Sequence, residues 1–412
     1  MNQLTTSLWG DEAFTAVAVQ ENFFRMLAIV SKDTAPPLYY ILLFLWTRIL
    51  GNSEVAIRSL SVCLYLGTIF IVYLMAKHIW NKKAGFLASL LCLSNPFLFP
   101  FAFEGRMYSL LVLTVTLSFY FLMVKNKRGY ILASTLALYS HHYAFLALIF
   151  QFFWQLATSK NLKKDWLELL RPYLVIGLFY LPWLYPLYKQ VTMVATGFWL
   201  SKPNLKDLAG LLIRYFIGEK LVFSWQKYLL VLGALILLLK KWQVKLRENL
   251  FLIGWVLVPL ILAFFLSQGK TSIFYDRYLI FIIPGLMLLL AGAGRKFSLT
   301  LILFFSLPLL WLNGHYFTHP TKRPFRELAA YIKEKAKPED FLINFNGKAH
   351  HLWESKYYHL TAPLYVSEGD LPYYLGIAQM TEKDVIRQLP EEKRIGVISS
   401  EEPESMKITD FE

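Results

Sequence analysis

Asp11 and Glu12 stand side by side in Ser-Leu-Trp-Gly-Asp-Glu-Ala-Phe-Thr, residues 7–15, ahead of a long apolar stretch that is poor in acids. Carboxylates kept close to hydrocarbon are costly and mark functional candidates. The chemistry open to them is general-base catalysis, the removal of a proton from an attacking hydroxyl. Adjacent side chains on a helix diverge by about 100°, so the two acids are expected to face different surroundings. One then acts while the other orients it or binds substrate. The plainer alternative is that both are solvated acids at a helix start, where the dipole favours them. Glu104 is a second acidic candidate. Arg58, Arg106, Lys270 and Arg277 are cations able to offset the charge of an anionic group, although arginines at span ends also snorkel to headgroups and Glu104 can pair with Arg106 alone. Asp33, ahead of Pro36-Pro37, either caps the helix that follows or joins the site. His141 and His142 are adjacent and have no carboxylate near them in sequence. Contact with a phosphate or sugar, or packing at an interface, suits them better than a metal.

These residues are set in a chain that is 56% hydrophobic and 17% charged, with 17% aromatics and repeated apolar runs separated by short basic clusters. That composition specifies a polytopic α-helical membrane protein. The formal charge of +14 is uneven: residues 1–320 carry +17 and residues 321–412 carry −3. The basic excess therefore belongs to membrane loops, and nucleic acid is not a partner. Cys63 and Cys92 both lie in apolar runs, which excludes a disulfide framework or a cysteine metal site. The start shows no cleavable signal peptide.

About ten spans are expected, near 55–76, 84–101, 107–124, 129–141, 143–158, 172–188, 227–240, 249–267, 277–294 and 297–313. Basic clusters at Lys77/Lys82/Lys83, Lys125/Lys127/Arg128, Lys160/Lys163/Lys164/Arg171, Lys240/Lys241/Lys245/Arg247 and Arg295/Lys296 occupy every second loop. The positive-inside rule makes those loops cytoplasmic. Every acid named above then lies on the outer side. Residues 36–50 also look like a span, but counting them would invert the alternation. Fifteen residues cover only about 22 Å of a core about 30 Å thick. They read as an interfacial helix opened by the Pro pair and anchored by Tyr39, Tyr40 and Trp46. Residues 12–30 and 205–217 are read as further interfacial helices. The aromatics Tyr180, Trp183, Tyr185, Tyr188, Phe198 and Trp199 read as an interfacial belt.

The tail changes character. Helix is expected over 323–336, strand over 340–345, helix over 350–360, strand over 362–366, helix over 381–389 and strand over 394–399, a small soluble α/β domain outside the membrane. His350, His351 and His359 read as surface residues. The domain division is an external loop with interfacial helices over 1–54, a transmembrane core over 55–313 and an extracytoplasmic α/β domain over 314–412.

The ordered set Leu8-Trp9-Gly10-Asp11-Glu12-Ala13, Asp33-Thr34-Ala35-Pro36-Pro37-Leu38-Tyr39-Tyr40, Gly51-Asn52-Ser53-Glu54 to Arg58, Glu104-Gly105-Arg106-Met107-Tyr108 and Asp276-Arg277-Tyr278 resembles bacterial relatives of the protein O-mannosyltransferases. These are GT-C fold glycosyltransferases of the family 39 and lipid A aminoarabinose transferase type. The resemblance covers roughly residues 7–310. It implies transfer of a sugar from a polyprenyl-phosphate carrier to a hydroxyl of a lipid, glycan or protein acceptor at the outer face of the cell membrane. The family's catalytic acid maps onto Asp11, with Glu12 beside it, and its second external acid onto Glu104. Asp33, Arg58, Arg106, Tyr108, His141, His142, Lys270 and Arg277 are the substrate-binding candidates, with Glu104, Arg106 and Arg277 about the donor phosphate. No metal or other cofactor is implied. Two departures stand out: Glu-Gly-Arg replaces the more usual Glu-Ala-Arg, and Thr34-Ala35 stands where His before the Pro pair is common. A span preceding the Asp-Glu motif in the family has no counterpart in the ten residues before Asp11, which points to a truncated start.

A transporter or flippase for polyprenyl-linked sugars is the alternative, since it too needs outer-face charges and a lipid groove. Against it, the charges cluster at span ends and not at mid-membrane, and no inverted repeat is visible. A scaffold that merely displays the tail is disfavoured by the clustering of acids with arginines.

Overall fold

The computed structural model describes residues 1–159, 161–195, 200–219, 222–238, 245–292, 296–345, 350–369, 371, 376–391, 394–399 and 407–409. Lys160, Phe198, Trp199, Lys240, Lys241 and Arg295, named above, lie outside the described residues. The chain folds as two compact units, one of Met1–Leu60, Glu104–Arg106 and Phe317–Glu412, the other of Ser61–Phe103 and Met107–Tyr316. The first 60 residues and the tail, separated by the whole transmembrane core in sequence, thus share one unit.

In that unit the chain runs through α1 (Gly10–Ala18), α2 (Phe23–Lys32), α3 (Leu38–Leu50) and the first turns of α4 (Glu54–Ile79). Residues 12–30, expected as one interfacial helix, form two, because the chain leaves α1 at Val19 and Asn22 caps α2 by accepting from the Arg25 N–H at 2.9 Å. The tail supplies α15 (Phe325–Lys335), β1 (Phe341–Asn344), α16 (His350–Tyr357), β2 (Leu364–Tyr365), β3 (Val385–Ile386), β4 (Ile395–Ser399) and β5 (Lys407–Thr409). The sheet order is β3-β2-β1-β4-β5. The first four strands are parallel, with Phe341 opposite Ile395 and Asn344 opposite Ile398, and β5 joins antiparallel. The helix expected over 381–389 is absent. A 3-10 turn at Glu382–Asp384, capped by Thr381, leads directly into β3. Helix α1 packs on α16, with Phe14 set edge-on to Trp353 at 5.3 Å between ring centres. Gly376 permits this approach: its φ is +79°, and a Cβ there would lie 2.8 Å from the Trp353 indole nitrogen and 2.9 Å from the Phe14 ring.

The second unit continues α4 and adds α5 (Lys82–Ser94), α6 (Tyr108–Met123), α7 (Lys127–Ser140), α8 (Ala144–Thr158), α9 (Leu162–Ala195), α10 (Leu205–Ile217), α11 (Gln226–Leu238), α12 (Leu246–Leu266), α13 (Ile283–Ala291) and α14 (Lys296–Thr318). Each expected span overlaps one of these helices, but not with the expected bounds: α5 ends at Ser94 where 84–101 is expected, α9 runs through 34 residues where 172–188 is expected, and α10 is the expected interfacial helix. Among the described residues, four stretches are long and apolar enough to cross a bilayer: Glu54–Ile79, Trp166–Ala195, Leu246–Leu266 and Thr300–Thr318. Tyr108–Met123, Ala144–Thr158 and Ile280–Ala291 are shorter apolar helices, as is Leu38–Leu50 of the first unit. The core of the second unit centres on Trp255. Its ring stacks on Phe119 at 3.9 Å and 8°, and its indole N–H donates to the Phe281 carbonyl at 3.1 Å, so the polar end of a wholly buried side chain is satisfied.

Candidate functional site

The α1 helix starts immediately after Trp9, and its first turn carries both acids. The 100° divergence between neighbours sends them to opposite environments. Glu12 is fully buried. Its Oε1 accepts from Arg58 Nε at 2.9 Å and the Gly105 N–H at 2.8 Å, and its Oε2 accepts from Arg58 Nη2 at 2.7 Å and Lys322 Nζ at 3.0 Å. Burial alone would raise the Glu12 pKa, but the charges of Arg58 and Lys322 and these hydrogen bonds outweigh it and take it down to about 2. Gly105, the departure from the usual Glu-Ala-Arg, packs tightly here: a Cβ on it would lie 2.5 Å from Ile57 Cγ2.

Arg58 is equally committed. Besides the fork on Glu12, its Nη1 donates to the Leu4 and Thr6 carbonyls at 3.1 and 2.6 Å, and its Nη2 to the Ser7 carbonyl at 2.9 Å. All five guanidinium N–H donors thereby have internal acceptors. This geometry bears on two sequence expectations. Arg58, expected among the cations facing a donor phosphate, clamps the turn and irregular segment that leads into α1. Glu12, expected as a catalytic acid, is its counter-ion. Glu54, from the same Gly-Asn-Ser-Glu motif, accepts from Tyr358 Oη at 3.0 Å and pairs with Arg326 at 3.3 Å, while Tyr358 Oη in turn accepts from the Leu8 N–H at 2.9 Å. The motif therefore fastens residues 4–8 to the tail.

Asp11 faces the other way, with its side chain 31% exposed and its Oδ2 3.9 Å from Arg106 Nη2. Arg106 is held by Thr15 Oγ1 at 3.0 Å, Tyr40 Oη at 3.4 Å and the Asp11 carbonyl at 3.4 Å, all accepting from Nη1. Asp33 belongs to the same group. Its pKa is raised, chiefly by burial, with the charge of Arg106 opposing and that of Asp11 reinforcing the shift. Asp33 also ends α2 as its C-cap, and does not cap α3, whose preceding residue is Pro37. Glu104 is half-buried and acts electrostatically on Lys322, and its carbonyl accepts the Arg106 N–H at 2.8 Å. The first unit thus assembles Asp11, Asp33 and Arg106 from three separate motifs, with Thr15 and Tyr40 completing the arrangement.

The remaining candidates belong to the second unit. His141 is buried at the end of α7, with its ring centre 4.8 Å from that of Tyr278 and 6.5 Å from that of Tyr108. Tyr278 stacks on Tyr108 at 6.4 Å, and the Arg277 guanidinium lies 5.1 Å from the centre of Tyr275 and 6.0 Å from that of Tyr108. Asp276, between Tyr275 and Arg277, pairs with Arg214 at 3.2 Å, and its carbonyl accepts from Tyr215 Oη at 2.6 Å. His142 turns away to Gln190 at 2.9 Å and Tyr180 at 3.4 Å, and burial lowers its pKa to about 4 despite the Gln190 hydrogen bond. Lys270 is exposed. His351, expected at the surface, is fully buried between Glu354 at 2.9 Å and Arg323 at 3.2 Å.

Sequence reasoning did not find Lys322, Thr15, Tyr40 or Arg214. Only one signal pointed toward Lys322: a basic residue just beyond the last apolar run. Nothing local distinguished the others.

Residues 34–188 match the family profile described as dolichyl-phosphate-mannose-protein mannosyltransferase. None of the curated proteins compared matches the chain. Among solved structures, ArnT from Cupriavidus metallidurans in the apo state aligns with a TM-score of 0.66 over 97% of this chain and 90% of that one, at 12% identity. The same protein bound to undecaprenyl phosphate aligns with a TM-score of 0.59 at 13% identity, with the same coverage. The oligosaccharyltransferase AglB from Archaeoglobus fulgidus, in complex with an inhibitory peptide and a dolichol-phosphate, aligns with a TM-score of 0.53 over 87% of this chain and 60% of that one, at 12% identity. The apolar helices and the fold shared with ArnT make this a multi-pass membrane protein, of which residues 34–188 are similar to the dolichyl-phosphate-mannose-protein mannosyltransferases.

Proposed function

We propose that this protein transfers a sugar from a polyprenyl-phosphate donor to a hydroxyl of a lipid, glycan or protein acceptor, at the outer face of the membrane and with inversion, using Asp11 as the base. The observation that carries the assignment is the asymmetry of the acidic pair: Glu12 is sealed and ion-paired, whereas the Asp11 carboxylate is partly exposed beside Arg106. In the reaction the acceptor oxygen attacks the anomeric carbon as its proton passes to Asp11. The bond from that carbon to the phosphate oxygen breaks, and the polyprenyl phosphate leaves with the electron pair. One base acting opposite the leaving group, with no covalent sugar intermediate, gives inversion. Arg106 holds Asp11 in place, and Asp33, whose pKa burial raises, stands beside them as a partner for a sugar or acceptor hydroxyl. Glu104 tunes Lys322 and so the Glu12 anchor behind the base.

In the second unit, Arg277 among Tyr108, Tyr275 and Tyr278 is the cation we assign to the phosphate, with His141 packed beside them. Bound undecaprenyl phosphate in ArnT and dolichol-phosphate in AglB support a polyprenyl carrier here. We assign about ten spans to the chain, with the segment 1–54 and the tail extracytoplasmic.

The experiment is transfer from radiolabelled polyprenyl-phosphate sugars in proteoliposomes, comparing wild type with Asp11→Asn. Loss of about 100-fold or more in transfer, with donor binding retained, is expected of a lost base. Unaltered transfer would remove Asp11 from the role. Donor translocation that occurs without transfer and survives the substitution would establish a flippase instead.

A further inference from the structure

At the end of the second unit where the helices carry their basic loops, a cavity of about 570 Å³ opens among the ends of α4, α6, α7, α8, α9 and α12. The positive-inside pattern assigns this end to the cytoplasmic side. Lys125, Lys127, Lys245 and Arg247 line it, against the two glutamates Glu168 and Glu248. Each glutamate is already engaged, Glu168 with Lys127 at 2.6 Å and Glu248 with Lys245 at 4.0 Å. Lys125 and Arg247 carry no ion pair among the described residues. The 14-residue α7 and the 21-residue α12 both begin at the cavity, so their positive dipole ends add to the same field.

Backbone conformation supplies an independent sign that these lysines are used. Lys125 has φ +58° and Lys245 φ +60°. Lys125 occupies the C′ position of a Schellman closure of α6, in which its N–H donates to the Leu122 carbonyl at 3.2 Å and the Asn126 N–H to the Phe121 carbonyl at 2.9 Å. Glycine is the residue such a position favours, because any Cβ is penalised there. A lysine at each of two left-handed positions on the rim of one cavity is a backbone cost borne where the charge is presented.

Below the rim the walls are aromatic, formed by Phe121, Trp154 and Phe251. The floor is polar but internally satisfied: Tyr130 Oη donates to Gln151 Oε1 at 3.0 Å and accepts from Tyr173 Oη at 2.9 Å. A cationic rim over an aromatic wall, of a volume typical of a site for an organic ligand and far larger than a bare anion needs, matches a lipid whose phosphodiester lies at the interface. We infer that this cavity binds an anionic phospholipid of the cytoplasmic leaflet, its phosphodiester between Lys125 and Arg247 and its glycerol and upper acyl carbons against Trp154 and Phe251. The inference does not depend on the transfer reaction.

The test uses the full chain, purified in a zwitterionic detergent and exposed to equal amounts of phosphatidylglycerol and phosphatidylcholine, with retained lipid counted by native mass spectrometry. The variant is Lys125→Gly with Arg247→Gln. Glycine suits the left-handed position and glutamine suits a helix, so the melting temperature should hold or rise. Wild type should retain phosphatidylglycerol in preference, and the double variant should lose about 30-fold of that preference, the worth of two interfacial cations. Equal retention of both lipids by wild type, or an unchanged preference in the variant, would overturn the inference. So would displacement of phosphatidylglycerol by inorganic phosphate at equal concentration, which would make the site one for a free anion.

Discussion

Arg58 grips Glu12 through two parallel bonds, Nε to Oε1 at 2.9 Å and Nη2 to Oε2 at 2.7 Å, and both side chains are fully buried. The pair lies beneath the partly exposed Asp11 and fixes the direction in which α1 leaves the segment 4–8. Removing one partner strands a buried charge. Arg58→Ala is therefore expected to destabilise the first unit by about 3–5 kcal/mol. Thermal unfolding in detergent checks this, and a loss below 1 kcal/mol would mean that Arg58 contributes through something other than this fork.

The same pair fixes a pH dependence. The folded Glu12 pKa, about 2, is below its ordinary 4.5, so the ionised form is favoured by folding. Its contribution is complete above about pH 4.5 and is lost as the pH falls toward 2. The acid side of the stability profile should therefore flatten in Glu12→Gln, measured as melting temperature against pH.

Asp33 is expected to behave in the opposite sense. Burial raises its pKa above the usual carboxylate value, so ionising it in the folded protein costs stability, and that cost grows as the pH rises through the range above 3.8. Asp33→Asn should be more stable than wild type at pH 7 and indistinguishable from it at pH 3. The substitution should also reduce transfer, which separates this position from a purely structural one.

Gly254 gives a packing test far from the acids. A Cβ on it would lie 2.2 Å from Phe150, which stacks near Phe119 and Phe251. Gly254→Ala should cost about 1–3 kcal/mol through overpacking, and Phe150→Leu in the same chain should recover part of it. Additive losses in the double variant would contradict direct contact.

Much of the architecture was legible in the sequence because a bilayer imposes a simple grammar: apolar runs of a given length, basic punctuation on alternate sides, and a tail whose periodicity changes to 2 and 3.6. The helices of the core and the strands β1, β2 and β4 fall where those patterns place them. The element expected over 381–389 did not, because Thr381 and Asp384 cap one another and close a single turn before the chain is drawn into the sheet at Val385.

The adjacency of Asp11 and Glu12 on a helix was enough, by itself, to require that they face different surroundings. Which one would be sealed was decided by residues 46 and 310 positions away, Arg58 and Lys322, which only the tertiary fold brings to Glu12. Arg58 could not be distinguished in sequence from Arg106 or Arg277, since all three are arginines near span ends. Burial against the Leu4, Thr6 and Ser7 carbonyls makes the first a structural clamp, while the contact with the partly exposed Asp11 carboxylate puts Arg106 at the candidate site. Sequence determines which charges the chain possesses and how they are spaced between its apolar runs. Desolvation and long-range pairing, properties of the folded chain alone, decide which of them are left to meet a substrate.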